Sequence, residues 1–279
     1  MISPRRSMVR IDVNRFAGKS SRNRRDAVAV EEPLEIRLAT PQGDEHQVAV
    51  TMRTPGDDFD LTAGFLFSEG LIQRRSDVLD LRYCTNVDVQ EYNVMTVQLS
   101  EGTSFNPTDL TRNFYTTSSC GVCGKASLEA IEIQGCTPFL EDGLVIKSQV
   151  IRTLPSVLRE GQQIFERTGG LHAAGLFNVD GDLQILHEDV GRHNALDKVI
   201  GNRFLEDGLP LKGSVLAVSG RASFEIMQKA LMAGVAVIVA VGAPSSLAVD
   251  VASEFGMTLV GFTKEAGFNV YAGTSRVSL

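Results

Sequence analysis

Between Leu34 and Leu99 the pattern of apolar and polar positions changes about every ten residues. LEIRLAT and QVAVTMR alternate with a period of two and are separated by the turn-forming Pro41 to Asp44, which predicts a β-hairpin. Asp60 can cap a helix over LTAGFLFSEGLI, after which VLDLRYCT and YNVMTVQLS read as two further strands. The order ββαββ predicts a four-stranded roll with one helix across it, like the β-grasp arrangement of ubiquitin, over residues 29–103.

Gly102, Pro107 and a string of Ser, Thr and Asn mark a linker, expected to be mobile over 104–119 and to deliver the chain to a second domain at 120–279. There a short helix is expected from about Lys125 and a longer one across Leu154 to Arg167. The runs HAAGLFNV and DLQILHE follow, joined by Asp180-Gly181, a strong hairpin signal. From Gly213 the alternation is SVLAVS, a helix SFEIMQKALMA, VAVIVAVG, a helix SSLAVDVASEF and TLVGFT, a βαβαβ unit. Its middle strand is apolar on both faces, as in a parallel sheet covered by helices. The class is therefore α/β, or α+β for the chain as a whole. Right-handed crossovers set three strand ends along one edge: Ser219-Gly220-Arg221, Gly242 through Ser246, and Gly261-Phe262-Thr263-Lys264.

A chain of 279 residues that is 43% hydrophobic and 22% charged has room for one large core or two modest ones. Its longest apolar run, Val235 to Ala243, is far shorter than the roughly 20 residues of a membrane-spanning helix. Four cysteines and an N-terminus without an apolar signal core point to a reducing cytoplasm. The net charge of −7 is unevenly spread, because residues 1–25 hold eight Lys and Arg and one acid, Asp12. The acidic remainder would repel a phosphate backbone, so no nucleic-acid partner is expected. The basic tail, residues 1–28, is expected to be disordered.

The densest chemical signal is TTSSCGVCGKASLEAI, where Cys120 and Cys123 stand at the start of an expected helix. The helix dipole and Lys125 would enrich the thiolate, which can accept a sulfur atom as a persulfide and release it. A CxxC also serves zinc sites and dithiol oxidoreductases. Zinc lacks further ligands here: Cys84 and Cys136 are isolated and fit inert thiols, and His172 lies downstream with Ala174 at the Glu position of a deaminase motif. No tightly bound metal is expected. The dithiol oxidoreductase stays open.

HEDVGRHNALDKVIG concentrates His187, Glu188, Asp189, Arg192, His193, Asn194, Asp197 and Lys198. It fits a solvated helix start with Asp189 or Asn194 as cap and Asp197 and Lys198 as surface charges. It fits equally a site in which Arg192 and His193 hold an anion or orient a thiolate. His172 and His187 flank a hairpin and can be packing residues. At the strand-end edge, glycine N–H groups, helix starts, Arg221 and Lys264 suit a phosphorylated small molecule.

Together SSCGVCG, EDVGRHNALDK, SGRASFEIMQKA and GAPSSLAVDVASEFGMTLVGF resemble the formate dehydrogenase accessory sulfurtransferases, the FdhD family, over roughly residues 30–273. The resemblance implies a sulfur carrier that takes a persulfide from a cysteine desulfurase. The sulfur passes to the molybdenum cofactor, Mo-bis-molybdopterin guanine dinucleotide, a transient substrate on its way into formate dehydrogenase. It also implies a three-layer, deaminase-like C-terminal domain and a homodimer. Cys120 matches the persulfide position and Cys123 the second thiol. A GDP-like guanine nucleotide site maps to Phe262, Thr263, Lys264, Glu265, Ala266 and Gly267, with Ser219, Gly220, Arg221, Ser245, Arg192 and His193 around it. Lys264 and Ala266 depart from the Arg-x-Gly that often follows the Phe, which costs a bidentate arginine contact. A chaperone that binds the cofactor without chemistry at the cysteines is the alternative.

Overall fold

Leu34, Ile36 and Leu38 point to one side of a strand and are fully buried, which is what their period-two spacing demands of a half-covered sheet. The computed structural model describes residues 6–84, 92–103, 105, 136, 138–139 and 143–279. Strands β1 (Met8–Ala17) and β2 (Ser20–Ala29) pair antiparallel into a ribbon of their own. Strands β3 (Glu32–Ala39), β4 (Glu45–Arg53), β5 (Val78–Tyr83) and β6 (Val94–Leu99) form a sheet in the order β4-β3-β6-β5. Its two central strands, β3 and β6, run parallel and the outer pairs antiparallel. Helix α1 (Asp58–Ser68) lies across it and buries Leu61 and Leu66 against Leu34, Met95, Val97 and Leu99.

The larger sheet has six strands in the order β13-β12-β11-β10-β8-β9. Strands β10 (Val215–Val218), β11 (Val237–Ala240) and β12 (Thr258–Lys264) are parallel. The antiparallel hairpin of β8 (His172–Phe177) and β9 (Leu183–Asp189) extends one side, and antiparallel β13 (Gly267–Ala272) the other. Alternate residues of the central strands enter different cores. Leu216, Val218, Ile238 and Ala240 face helices α4 (Arg192–Leu205), α5 (Phe224–Met232) and α6 (Ser246–Glu254). Val215, Ala217, Val237 and Val239 face α2 (Ser148–Gly161) through its Ile151, Leu154 and Leu158. Each of the Val, Leu and Ile side chains contributes about 1.5–3 kcal/mol on leaving water. A short parallel pair, β7 (Ile146–Lys147) with β14 (Val277–Ser278), closes this side. Among the described residues no helix is long and apolar enough to cross a membrane.

The two sheets are joined through α1 and α4, which cross at backbone contact. A Cβ on Gly64 would overlap the Asp197 carbonyl, and one on Gly201 the Asp60 carbonyl, so glycine is needed at both positions. Beside this crossing the Phe67 and Phe204 rings stack at a tilt, 5.7 Å between centroids.

Four expectations need correction. Residues 8–29 are a ribbon and not a disordered tail: Val9, Ile11 and Val13 alternate with Arg10, Asp12 and Asn14, and Gly18 turns the chain with φ +59°. The helix expected across Leu154 to Arg167 is broken at Gln162, where ψ of 76° ends α2 before α3 (Gln163–Thr168) begins. The N-cap of α1 is Asp57 and not Asp60, which sits in the first turn. Asp197 and Lys198, weighed as surface charges, are buried. The linker expected over 104–119 lies, apart from Phe105, outside the described residues, as does the helix expected from Lys125.

Candidate functional site

The ends of β10, β11 and β12 are laced together by their backbones. Gly242 N–H donates to the Gly220 carbonyl at 2.9 Å, Phe262 N–H to the Gly242 carbonyl at 3.1 Å, and Ser245 N–H to the Ala222 carbonyl at 3.0 Å. The loops approach so closely that a Cβ at Gly242 would lie 2.9 Å from the Gly220 carbonyl oxygen. One at Gly261 would lie 3.0 Å from Pro244 Cδ. The edge anticipated from connectivity is therefore one continuous surface.

At its β8 side this surface gathers charge. A Cβ on Gly220 would come within 3.4 Å of His172 Nδ1 and 3.8 Å of Arg192 Cδ, so the start of β8, the start of α4 and the end of β10 meet there. His193 Nε2 lies 3.3 Å from Ser223 Oγ and 3.8 Å from the Glu225 carboxylate. Burial, reinforced by the Arg192 charge, pushes the His193 imidazole down to about 4, so it is neutral at pH 7. Burial and Arg192 lower His172 as well. Among the described residues nothing pairs with the buried Nε of Arg192. A guanidinium thus stands beside two neutral imidazoles, with one buried donor that no acceptor among the described residues answers. A buried donor in that condition costs roughly 1–3 kcal/mol unless a ligand satisfies it.

On the other side, Phe262 is 47% exposed and adopts a left-handed φ of 52°. Its neighbour Thr263 is buried, and its Oγ1 donates to the Ala240 carbonyl at 2.9 Å, which anchors the turned-out phenylalanine. Lys264 pairs with Gly267 across the β12–β13 hairpin, and Glu265 and Ala266 form its exposed tip. Arg221 is exposed beside Gly242. Two hydroxyls on the edge are already engaged. Ser219 Oγ accepts from Ala173 N–H at 2.9 Å, and Ser245 Oγ caps α6 by accepting from Ala248 N–H at 3.2 Å.

The remaining polar residues of HEDVGRHNALDK turn away from the edge and bind the two sheets together. The Asp189 carboxylate, fully buried, pairs with Lys198 Nζ at 2.9 Å and accepts from Thr54 N–H, Gly191 N–H and Asn194 Nδ2. Lys198 also donates to the carbonyls of Thr54 and Glu188. Asp197 receives Lys229 Nζ at 2.8 Å and Ser68 Oγ at 3.0 Å, and burial pushes its carboxyl up despite that lysine. The Glu188 carboxylate accepts from Ile164 N–H and Phe165 N–H at the start of α3. Among the described residues one cluster has metal-ligand chemistry: Asp57, Asp60 and His187. The two carboxylates meet opposite edges of the imidazole, Asp57 at Nδ1 (3.2 Å) and Asp60 at Nε2 (3.7 Å), which ties the start of α1 to β9. Sequence reasoning missed these cross-sheet partners. It also missed Arg53, buried with Asp58 in a two-toothed pair that ties β4 to α1 within the smaller unit.

Cys120 and Cys123 lie outside the described residues. Cys136 packs against the core of the larger sheet, and burial raises its thiol, which makes it a poor nucleophile.

Comparison with known proteins adds the following. The sequence model of the FdhD/NarQ family matches residues 29–278. The sulfur carrier protein FdhD of Streptomyces coelicolor is 49% identical over 100% of this chain and 96% of its own length. That of Mycobacterium tuberculosis is 51% identical over 91% of this chain and 93% of its own. That of the archaeon Saccharolobus solfataricus is 41% identical over 96% and 97%. In three dimensions the fold matches the crystal structure described as that of a formate dehydrogenase accessory protein from Desulfotalea psychrophila. The TM-score is 0.75 at 23% identity, covering 98% of this chain and all of that one.

Proposed function

The chain belongs to the FdhD/NarQ family, and on that premise we propose that it is a sulfur carrier for the maturation of formate dehydrogenase, holding sulfur on Cys120 and binding the molybdenum cofactor at the strand-end edge. The observation that carries the binding half is the buried Nε of Arg192, close to His172 and His193, which no acceptor among the described residues answers. A phosphate oxygen there would accept from the guanidinium in a charge-assisted hydrogen bond. With Gly242 N–H spent on the Gly220 carbonyl, the exposed side chains of Arg221 and Lys264 supply the further phosphate donors. Phe262, turned outward by its left-handed backbone, offers a face to a base, and Glu265 can accept from guanine N1 and N2.

In the sulfur half, the Cys120 thiolate attacks the outer sulfur of a donor persulfide on a cysteine desulfurase. The donor S–S bond breaks and the donor cysteine leaves as thiolate. The Cys123 thiolate then attacks Cys120 Sγ, so that the persulfide S–S bond breaks, the outer sulfur leaves as hydrosulfide for the cofactor and a Cys120–Cys123 disulfide forms, which a cellular dithiol reductant returns to two thiols. A reducing cytoplasm keeps both thiols available. The strand order β4-β3-β6-β5 around one helix supports a β-grasp-like description of the smaller unit. Helices on both faces of the six-stranded sheet support a deaminase-like description of the larger.

The test is complementation. Cells lacking their own carrier should regain formate dehydrogenase activity with the wild-type chain and fail to regain it with Cys120→Ser. Activity restored by Cys120→Ser would refute the carrier reading and leave a cofactor-binding chaperone.

A further inference from the structure

The β1–β2 ribbon lies outside the residues that match the family model, which begin at 29. Its base is held where α3 packs on β2: Ala27, Val28 and Ala29 are half-buried, and a Cβ on Gly170 after α3 would lie 3.6 Å from Ala29 Cβ. Alternate residues of the ribbon face the same way, and the register sets Arg10 opposite Ala27 and Asp12 opposite Arg25. Arg10 and Arg25 are therefore diagonal neighbours on one face, about 7–8 Å apart. Arg24 and Asp26 pair with each other at 2.8 Å on the opposite face.

Arg6, just before β1, and Arg167 of α3 come to the same place. With Met8, Val9 and Ala27, the four arginines line an open recess of about 1040 Å³, and no carboxylate lines it among the described residues. Arg25 Nε meets Asp12 at 3.5 Å, but both side chains are mostly exposed, so the pair contributes little. Among the described residues Arg6, Arg10 and Arg167 have no carboxylate at ion-pair distance. Like charges gathered this way repel one another until an anion enters.

We propose that this recess binds a condensed phosphate, the diphosphate or triphosphate group of a small molecule, at a site separate from the strand-end edge. Guanidinium forks meet phosphate oxygens two at a time. One phosphate is small beside a hollow of this volume, whereas two or three linked phosphoryl groups present oxygens to forks arriving from β1, β2, α3 and the segment before β1. Met8, Val9 and Ala27 carry no side-chain donor or acceptor, so the recess reads phosphate and not a base. A long nucleic acid would run onto a body whose residues 30–279 carry 32 acidic and 19 basic groups, which repels it.

Isothermal titration of inorganic pyrophosphate into the full chain tests the site, with Arg192→Met in the background to weaken binding at the edge. Saturable binding of one equivalent is expected in about 0.15 M salt. Adding Arg10→Gln and Arg167→Gln, which keep the stems of two exposed side chains, should weaken it at least about tenfold with unchanged far-UV circular dichroism. ADP and GDP should bind the Arg192→Met chain alike, and both should weaken with the two glutamines. The comparison is made within the recess, so failure of the carrier reading leaves it intact. No binding of pyrophosphate, or binding untouched by the two glutamines, would overturn the proposal. So would a polyglutamate peptide that binds as tightly as pyrophosphate and is lost with the same arginines, which would assign the recess to an acidic protein segment.

Discussion

Lys198 Nζ stands 2.9 Å from the Asp189 carboxylate in an ion pair almost wholly closed to solvent, and both groups also hold Thr54 of the opposite sheet. The pair is thus a rivet between the roll and the larger sheet. Removing one partner strands a buried charge, so Lys198→Met should cost about 3–5 kcal/mol in urea denaturation. Adding Asp189→Asn to it should restore part of that loss. Unchanged stability in the single variant would show that the rivet carries no load.

Gly201→Ala should also loosen the two sheets, by a different route. The new methyl would overlap the Asp60 carbonyl and force α1 and α4 apart, at a cost of about 1–3 kcal/mol or more. An unaltered urea midpoint would mean that the helices can separate freely.

How much of this the sequence disclosed depends on whether the relevant partner was near or far along the chain. The strands from Leu34 to Leu99 and the βαβαβ unit were legible because their spacing is local. The parallel pairing of β3 with β6 was not, because it is set by a packing choice across sixty residues. Val9, Ile11 and Val13 do alternate, but the arginine density around them supported a reading of disorder. In the candidate site, Arg192 and His193 were singled out, and they do face the strand-end edge. Asp197 and Lys198 were misjudged because Ser68 and Thr54, which bury them, lie 129 and 144 residues away. The engagement of Ser219 and Ser245 in backbone hydrogen bonds was likewise invisible, since a serine at a loop reads the same whether its hydroxyl is free or spent.

The depressed His193 imidazole has a consequence for acid stability. Its ordinary value is 6.5 and its folded value about 4, so between these limits the unfolded chain binds a proton that the folded chain does not. Stability should therefore rise with pH through this window and fall as pH drops through it. Nuclear magnetic resonance should place the His193 midpoint near 4, and His193→Gln should lose less stability than the wild type between pH 7 and pH 5. A midpoint near 6.5 would contradict the buried setting.

Nucleotide binding should discriminate. Isothermal titration is expected to show GDP binding more tightly than ADP, with Arg192→Met weakening it by about 10- to 100-fold through loss of a charged hydrogen bond. Lys264→Ala should weaken it less, since that ammonium is exposed, and Glu265→Gln should erode the guanine preference. Equal affinity for GDP and ADP would refute the guanine assignment.

The central claim is that Cys120 carries transferable sulfur, and intact-protein mass spectrometry addresses it most directly. The full chain, incubated with a cysteine desulfurase and cysteine under reducing-agent-free conditions, should gain the mass of one sulfur atom. Peptide mapping should place that atom on Cys120, and the Cys120→Ser variant should gain nothing there. A wild-type chain that acquires no sulfur, or acquires it equally in the variant, would contradict the claim.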